Sequence, residues 1–308
     1  MGLIDFGVKW LMRLCYGAGG VAGVAVALLY FFQEKILYVP TIPGMPDFSN
    51  ITPERYGMAS QDVDIVTKDG IKIHAWLLRL KQWTAEELKS RPVILFFQEN
   101  AGPMAFRLPF LKLMIRHLGC PVFAVSYRGY RLSEGQLSEG KPTEKGLKED
   151  ARAALAHLAQ NPAVDGSRVV VFGRSLGGAV ALHLAAEKPR QVIGVMVENT
   201  FTSVEDMVSR VVPPLGLIIG TGKPGNFLVT NKWRNNEAIG QLDNVPLLML
   251  VSGQDEMVPS EQMYSLHKLQ RSKQCKLVEF PLSSHMDAYD KEPVQYWNAL
   301  TEFMDQFK

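Results

Sequence analysis

The chain has 308 residues, of which 47% are hydrophobic and 21% are charged. This length and composition exclude a disordered chain and suffice for one large α/β domain with an additional segment. The formal net charge of +2 provides no basic stripe and no acidic tail, so nucleic acid is not an expected partner. The three cysteines lack the C-x-x-C spacing of a zinc site, and we expect neither a metal nor a cofactor.

The N-terminal region is strongly apolar. Residues 14–32 carry no charge, and their number approaches the roughly 20 residues of a helix that crosses a bilayer. Aromatic and basic residues stand at both ends of the stretch, as they do at membrane interfaces. The pattern predicts a membrane anchor over residues 1–37, and hence a single-pass protein of the endoplasmic reticulum, another endomembrane or the plasma membrane. A cleavable signal peptide and a buried core helix are the alternatives.

After a proline-containing linker at residues 38–60, strand and helix patterns alternate through residues 61–308. Residues 61–80 predict an antiparallel hairpin that turns at Asp69 and Gly70. Further strands are predicted at 93–97, 122–126, 169–172, 192–197, 247–251 and 275–280, and helices at 104–117, 144–159, 176–187, 261–269 and 294–307. This alternation predicts an α/β fold with a mostly parallel central sheet and helices on both faces.

A single serine stands between glycines where a predicted strand gives way to a predicted helix. The sequence from Gly173 to Gly177 is Gly-Arg-Ser-Leu-Gly, and its small residues permit a sharp turn that lifts the Ser175 hydroxyl above the sheet edge. This is the G-x-S-x-G pattern of a nucleophile elbow. The alternative is a glycine-rich turn with an incidental serine; the phosphate-loop patterns are absent.

An acid and a histidine follow two later strands at the same edge of the predicted sheet. A serine hydroxyl needs a histidine to take its proton, and the histidine needs a carboxylate to hold its tautomer. The chain order Ser175, Asp255, His285 therefore predicts a catalytic triad. Asp255 is alternatively a helix cap, in which case Glu256 or Asp287 takes its place.

The segment at residues 202–245 is far longer than an ordinary connection between a strand and a helix. Its apolar residues, with glycines at Gly220, Gly222 and Gly225, predict a lid over the serine. An apolar lid beside a membrane favours acyl-chain substrates. The alternative is a second apolar hairpin packed on the core.

Several short motifs give the chain a family resemblance. They are Asn100-Ala101-Gly102, Tyr127-Arg128-Gly129-Tyr130, Ser133-Glu134-Gly135, the elbow sequence from Phe172 to Ala179, Val197-Glu198-Asn199-Thr200-Phe201, Asn231-Lys232-Trp233 and the loops with Asp255 and His285. With them, residues 14–306 resemble the α/β-hydrolase superfamily, and most closely its membrane-anchored branch typified by α/β-hydrolase domain-containing protein thirteen and its plant and fungal relatives.

The resemblance implies roles for particular residues. Ser175, Asp255 and His285 would form the triad, and the backbone N–H groups of Leu176 and Asn100 would form the oxyanion hole. It also implies a serine hydrolase that cleaves an ester or thioester, such as an acyl lipid or a palmitoylated protein.

The two residues before Asn100 depart from the family pattern. The family usually has His-Gly before Asn-Ala-Gly, whereas this chain has Gln98 and Glu99. A Glu99 carboxylate directed at the site would oppose the charge that develops on the substrate oxygen, whereas one that faces solvent would not. In the first case, replacing Glu99 by glycine is expected to raise the catalytic rate about tenfold.

Two classes of function follow from these patterns. The first is a membrane-anchored serine hydrolase, and the second is a catalytically weak hydrolase-fold protein that acts as a membrane-tethered binding module. The complete triad favours the hydrolase. The expected partners are an acyl ester or thioester substrate and the membrane, while the sequence indicates no oligomeric state.

Overall fold

The structure is a computed structural model that describes residues 23, 27, 30–45, 51–133 and 136–308. Residues 30–37 are helical. The membrane span expected at residues 14–32 lies almost wholly outside the described residues. Within the described part of the chain, no helix combines the length and apolar character needed to cross a bilayer.

A single large sheet forms the centre of the molecule. Its strands are β1 (Met58–Val66), β2 (Lys72–Leu80), β3 (Val93–Phe97), β4 (Val122–Ser126), β7 (Val169–Arg174), β8 (Gly194–Glu198), β9 (Leu247–Ser252) and β10 (Cys275–Phe280), while β5 (Arg131–Ser133) and β6 (Gln136–Leu137) form a separate pair. The order across the sheet is β1-β2-β4-β3-β7-β8-β9-β10. The first two strands form the predicted hairpin, β2 is antiparallel to β4, and the remaining neighbours are parallel. The predicted mostly parallel sheet is confirmed.

Helices cover both faces of this sheet. They are α1 (Ala85–Lys89), α2 (Leu108–Leu118), α3 (Glu144–Gln160), α4 (Leu176–Glu187), α5 (Val204–Val211), α6 (Asn235–Ile239), α7 (Ser260–Leu269), α8 (Ala288–Lys291) and α9 (Pro293–Asp305). Side chains alternate along the central strands: Val93 and Leu95 belong to the buried cluster that includes residues of α3, α4, α6 and α7, whereas Ile94 and Phe96 belong to the cluster that includes residues of α2 and α9. Because both faces of the strands are buried, their sequences are continuously apolar.

The segment at residues 202–245 connects β8 to β9. It contains α5, the 3₁₀ helices Pro213–Leu217 and Pro224–Leu228, and α6, but no strand, so the alternative of a second hairpin is wrong. Several of its apolar side chains are exposed, including Leu217 at 82% and Phe227 at 76%. We call residues 202–245 the insertion.

Candidate active site

Ser175 lies at the turn between β7 and α4. Its backbone has φ 54° and ψ −120°, a strained conformation for a residue with a side chain. The Ser175 N–H donates to the Glu198 carbonyl oxygen at 2.9 Å, and its own carbonyl oxygen accepts from the Thr200 hydroxyl at 2.8 Å. The end of β8 therefore holds this turn, which has the sharp strand-to-helix form that the G-x-S-x-G pattern predicts.

Close backbone approach explains the glycines on either side of Ser175. A Cβ atom added to Gly173 would lie 2.0 Å from the Gly177 carbonyl oxygen, and one added to Gly177 would lie 2.1 Å from the Phe97 carbonyl oxygen. These oxygens belong to the backbone and cannot rotate away. A side chain at either position would displace β3 or α4.

Asp255 and His285 form a buried pair on the loops after β9 and β10. Asp255 Oδ2 is 2.6 Å from His285 Nδ1, and the two side chains are 1% and 2% exposed. Asp255 Oδ1 accepts from the N–H groups of Met257 at 2.9 Å and Val258 at 2.7 Å. Asp255 thus caps the following turn and also binds the histidine. Since Nδ1 faces the carboxylate, Nε2 is the ring nitrogen left to exchange a proton with a nucleophile.

The two other acids considered for this position do not bind the imidazole ring. Glu256 Oε2 accepts from the backbone N–H of His285 at 3.2 Å, and Asp287 Oδ1 accepts from the backbone N–H of Ser284 at 2.6 Å. Both carboxylates therefore stabilise the loop that carries His285. The remaining histidines lie elsewhere: His74 in β2, and His117, His157, His183 and His267 in helices.

Asn199 joins the His285 loop to the sheet. Its φ is 48°, and its Nδ2 donates to the Ser252 hydroxyl and to the His285 carbonyl oxygen, both at 2.9 Å. Its Oδ1 accepts from the Ser252 N–H at 2.8 Å. Asn199 directly follows β8, the strand that holds Ser175, so one strand end fixes both loops. Its position at a strand's carboxyl end was the available sequence signal for this role.

The hydroxyl of Ser175 forms no hydrogen bond with His285 or any other described residue. In hydrolases without substrate this contact is often loose and tightens when substrate binds.

Asn100 and Leu176 provide the two backbone N–H groups expected to bind an oxyanion. Leu176 is the first residue of α4, where an N–H has no acceptor within its own helix. Asn100 follows β3, and its N–H donates to no group in the described ranges. The Asn100 carbonyl oxygen instead accepts from the Tyr130 hydroxyl at 2.7 Å and from the Val39 N–H at 2.9 Å.

Glu99 is buried and bound by two arginines. Arg107 Nε donates to one carboxylate oxygen at 2.8 Å, and Arg174 Nη1 donates to the other at 3.1 Å. Burial alone would raise the pKa of the Glu99 carboxyl, but the charges of Arg107 and Arg174 outweigh it and lower the pKa to about 2. Arg174 also pairs with Glu198 at 3.0 Å. Of the two alternatives left open for Glu99, neither holds: the carboxylate does not face solvent, and its charge is compensated rather than directed unpaired at a substrate oxygen.

An apolar cavity of about 280 Å³ opens beside Ser175. Its walls include Leu176 and Asn100, apolar residues of the insertion, and part of the helix at residues 30–37. The volume lies near the lower end of the range for small-molecule sites, roughly 300 to 1,000 Å³. The cavity can take an apolar chain whose reactive end lies at Ser175.

The sheet order and the strand-to-helix turn at Ser175 define the molecule as an α/β hydrolase. The model of the prolyl oligopeptidase family matches residues 111–308. The chain therefore belongs to that family.

Similar proteins agree with this assignment. Alpha/beta hydrolase domain-containing protein WAV2 of Arabidopsis thaliana is 41% identical, over 97% of this chain and 96% of that protein. The uncharacterized membrane protein YNL320W of Saccharomyces cerevisiae is 31% identical, over 96% of this chain and 97% of that protein. The predicted resemblance to plant and fungal members of the superfamily is thus confirmed.

A solved structure shares the fold. The esterase Pf2001 of Pyrococcus furiosus superposes with a TM-score of 0.67 at 16% identity, over 88% of this chain and 97% of that one. At this level of identity the likeness concerns the fold alone.

Proposed function

We propose that the protein is a membrane-anchored serine hydrolase that cleaves an acyl ester or thioester through Ser175, His285 and Asp255. One observation carries the proposal: a serine on a strained turn faces an apolar cavity, and the strand end that holds this turn also holds a buried histidine–carboxylate pair.

The chemistry follows from these groups. His285 Nε2 takes the proton of the Ser175 hydroxyl as Oγ attacks the acyl carbonyl carbon, and the N–H groups of Leu176 and Asn100 bind the resulting oxyanion. His285 then donates that proton to the departing alcohol or thiol, which leaves an acyl ester on Ser175. Water then gives a proton to His285 as it attacks this ester; His285 returns the proton to Ser175 Oγ as the acyl–oxygen bond breaks, and the acid is released. Asp255 holds the tautomer of His285 and stabilises its charged form.

The membrane and the lid complete the proposal. The uncharged stretch at residues 14–32 anchors the chain, and the name of the yeast relative as a membrane protein supports this. Apolar residues of the insertion line the cavity, and the insertion acts as the lid. The apolar lining favours the acyl part of an acyl lipid or of a palmitoylated protein as the group that binds.

A fluorophosphonate probe tests the assignment of the nucleophile. The wild type and the control Ser209→Ala, which removes a serine of α5, are expected to be labelled, whereas Ser175→Ala and His285→Ala are not. The Ser175 hydroxyl has no described hydrogen-bond partner, so its removal should leave the circular dichroism spectrum unchanged. Labelling that persists in Ser175→Ala would refute the proposal.

An uncompensated charge at Glu99 beside the oxyanion hole would slow turnover and so favour the binding-module alternative. The two arginines that bind Glu99 weaken that argument. A folded wild type that fails to react with the probe and with activated acyl esters would favour the binding module.

A further inference from the structure

The chain that follows the uncharged N-terminal stretch contacts the candidate oxyanion loop. Val39 forms a parallel bridge with Ala101: its N–H donates to the Asn100 carbonyl oxygen, and its carbonyl oxygen accepts from the Gly102 N–H, both at 2.9 Å. The Asn100 side chain adds a third bond, from Nδ2 to the Leu37 carbonyl oxygen at 3.0 Å. Residues 37–39 are therefore bonded to this loop at three points.

The same segment is fixed to the insertion on its other side. The buried Tyr38 hydroxyl donates to Asn231 Oδ1 at 3.0 Å and accepts from Trp233 Nε1 at 2.9 Å. Gln33 donates to the Leu228 carbonyl oxygen at 3.2 Å and accepts from the Thr230 N–H at 2.8 Å. Contacts at this many points are those of a packed element rather than of a free tether.

Part of this segment also lines the apolar cavity. Tyr30, Gln33, Ile36 and Leu37 face the cavity that Ser175 and Asn100 also line. One short stretch of chain thus contacts both the reacting end of the cavity and its apolar wall.

We propose that residues 30–39 contribute directly to the hydrolase site, by positioning an oxyanion donor and by contacting the substrate. Leu37 and Val39 position the N–H of Asn100 through their hydrogen bonds to the loop at residues 100–102, and the helix at 30–37 provides a wall against which the acyl chain of the substrate lies. This inference rests on the proposed function. It assigns the substrate as a long-chain acyl ester or thioester, because only a chain that extends beyond the reacting carbonyl contacts this helix.

The position of the segment in the chain suggests the source of that substrate. Residues 30–32 are the last residues of the uncharged stretch expected in the bilayer. An acyl chain that leaves the membrane beside this stretch reaches the cavity along the same helix.

Chain-length specificity tests the wall. In the full-length protein, Ile36→Trp places a larger side chain in the cavity, whereas Phe32→Trp changes a residue of the same helix that does not line it. Using p-nitrophenyl esters in detergent, we expect Ile36→Trp to lower kcat/KM for the palmitate at least tenfold more than for the butyrate. Phe32→Trp should keep the wild-type ratio. Equal ratios in the two variants would overturn the assignment of the wall.

The kcat of Asn100→Ala tests the positioning role. This variant keeps the backbone N–H but loses the bond to the Leu37 carbonyl oxygen, and Asn236→Ala in α6 is its matched control. Because an oxyanion donor acts in the transition state, we expect kcat to fall about 10- to 100-fold with little change in KM or in the urea midpoint. Wild-type kcat in Asn100→Ala would overturn the role of the Leu37 contact.

Labelling of the wild type distinguishes failure of the proposed function from failure of the inference about residues 30–39. If it is not labelled at Ser175 by the fluorophosphonate, the proposed function fails. If it is labelled, and Ile36→Trp and Asn100→Ala behave like their controls, only the inference about residues 30–39 fails.

Discussion

Glu99 is held by Arg107 and Arg174, and removal of its charge would leave two largely buried guanidinium groups without this partner. Breaking a buried ion pair by removing one member costs about 3 to 5 kcal/mol. We therefore expect Glu99→Gln and Glu99→Gly to lower the free energy of unfolding at neutral pH by this amount, measured by urea denaturation. The tenfold gain in rate that sequence reasoning attaches to Glu99→Gly is no longer expected.

Glu302→Gln is the control for the Glu99 variants. Glu302 pairs with Lys276, but both side chains are more than half exposed, and exposed pairs contribute little. A Glu99→Gln protein as stable as Glu302→Gln would show that the arginines do not depend on Glu99.

The same carboxylate gives the stability a pH dependence. The pKa of Glu99 lies near 2 in the folded protein, below its ordinary value of 4.5. A depressed pKa stabilises the fold above pH 4.5, and this stabilisation is lost as the pH falls toward 2. We expect the wild type to lose about 3 kcal/mol more than Glu99→Gln across this interval, measured by urea denaturation at successive pH values. Parallel pH profiles would contradict the ion-pair interpretation.

Asp255 provides a kinetic prediction at the scale of a single residue. Asp255→Asn keeps the size of the side chain but favours the wrong tautomer of His285, and a change of this kind lowers kcat by about 10⁴. Asp287→Asn, on the same loop as His285, should change kcat far less because Asp287 binds the backbone of Ser284. The comparison is made on an activated ester. If the two substitutions lowered kcat equally, Asp255 would have no special role as the acid that binds His285.

At the scale of elements, the turn between β7 and α4 depends on Gly177. In Gly177→Ala the added methyl would meet the Phe97 carbonyl oxygen at 2.1 Å, whereas in Gly240→Ala the nearest atom is 3.7 Å away. Overpacking of this kind costs about 1 to 3 kcal/mol or more. We expect Gly177→Ala to lower the urea midpoint and abolish fluorophosphonate labelling, and Gly240→Ala to retain both. Normal labelling of Gly177→Ala would show that the turn can relax without loss of geometry.

Sequence patterns predicted the elements whose residues are uniformly apolar or regularly spaced. The strand at 93–97 and the helix at 176–187 have the predicted limits, because buried parallel strands and covering helices leave clear signals. The short helix α1 was missed, although Thr84 and Glu87 form a capping box that marks its start. The helical form of the insertion was not predicted, since its glycines and prolines interrupt any periodic pattern.

The residues of the candidate site were likewise predicted only in part. Ser175, Asp255 and His285 were predicted as site residues because each follows a predicted strand. The roles of Glu99 and Asn199 were not, since they depend on partners distant in the sequence, such as Arg174 and His285. No local pattern specifies which side chains meet across neighbouring strand ends.

At the scale of the whole molecule, residues 30–37 belong both to the proposed membrane anchor and to the wall of the candidate site. Two truncations separate their contributions. A chain that begins at residue 30 lacks most of the uncharged stretch but keeps the cavity wall and the contact with Asn100. A chain that begins at residue 40 lacks all three. Both are expected to leave membranes on alkaline washing, because one span is the only strong attachment that the sequence offers.

Their reactivity should differ. The longer truncated chain keeps the bonds from Leu37 and Val39 to the loop at 100–102, and it should react with fluorophosphonate at close to the wild-type rate. The shorter chain should react about 10- to 100-fold more slowly. Complete loss of one oxyanion donor lowers the rate by about 10²- to 10³-fold. We expect a smaller decrease because Tyr130 still holds the Asn100 carbonyl oxygen. If the two truncated chains reacted with fluorophosphonate at equal rates, residues 30–39 would contribute nothing to the positioning of Asn100. If both truncated chains resist alkaline washing, the insertion with its exposed Leu217 and Phe227 binds lipid independently of the anchor.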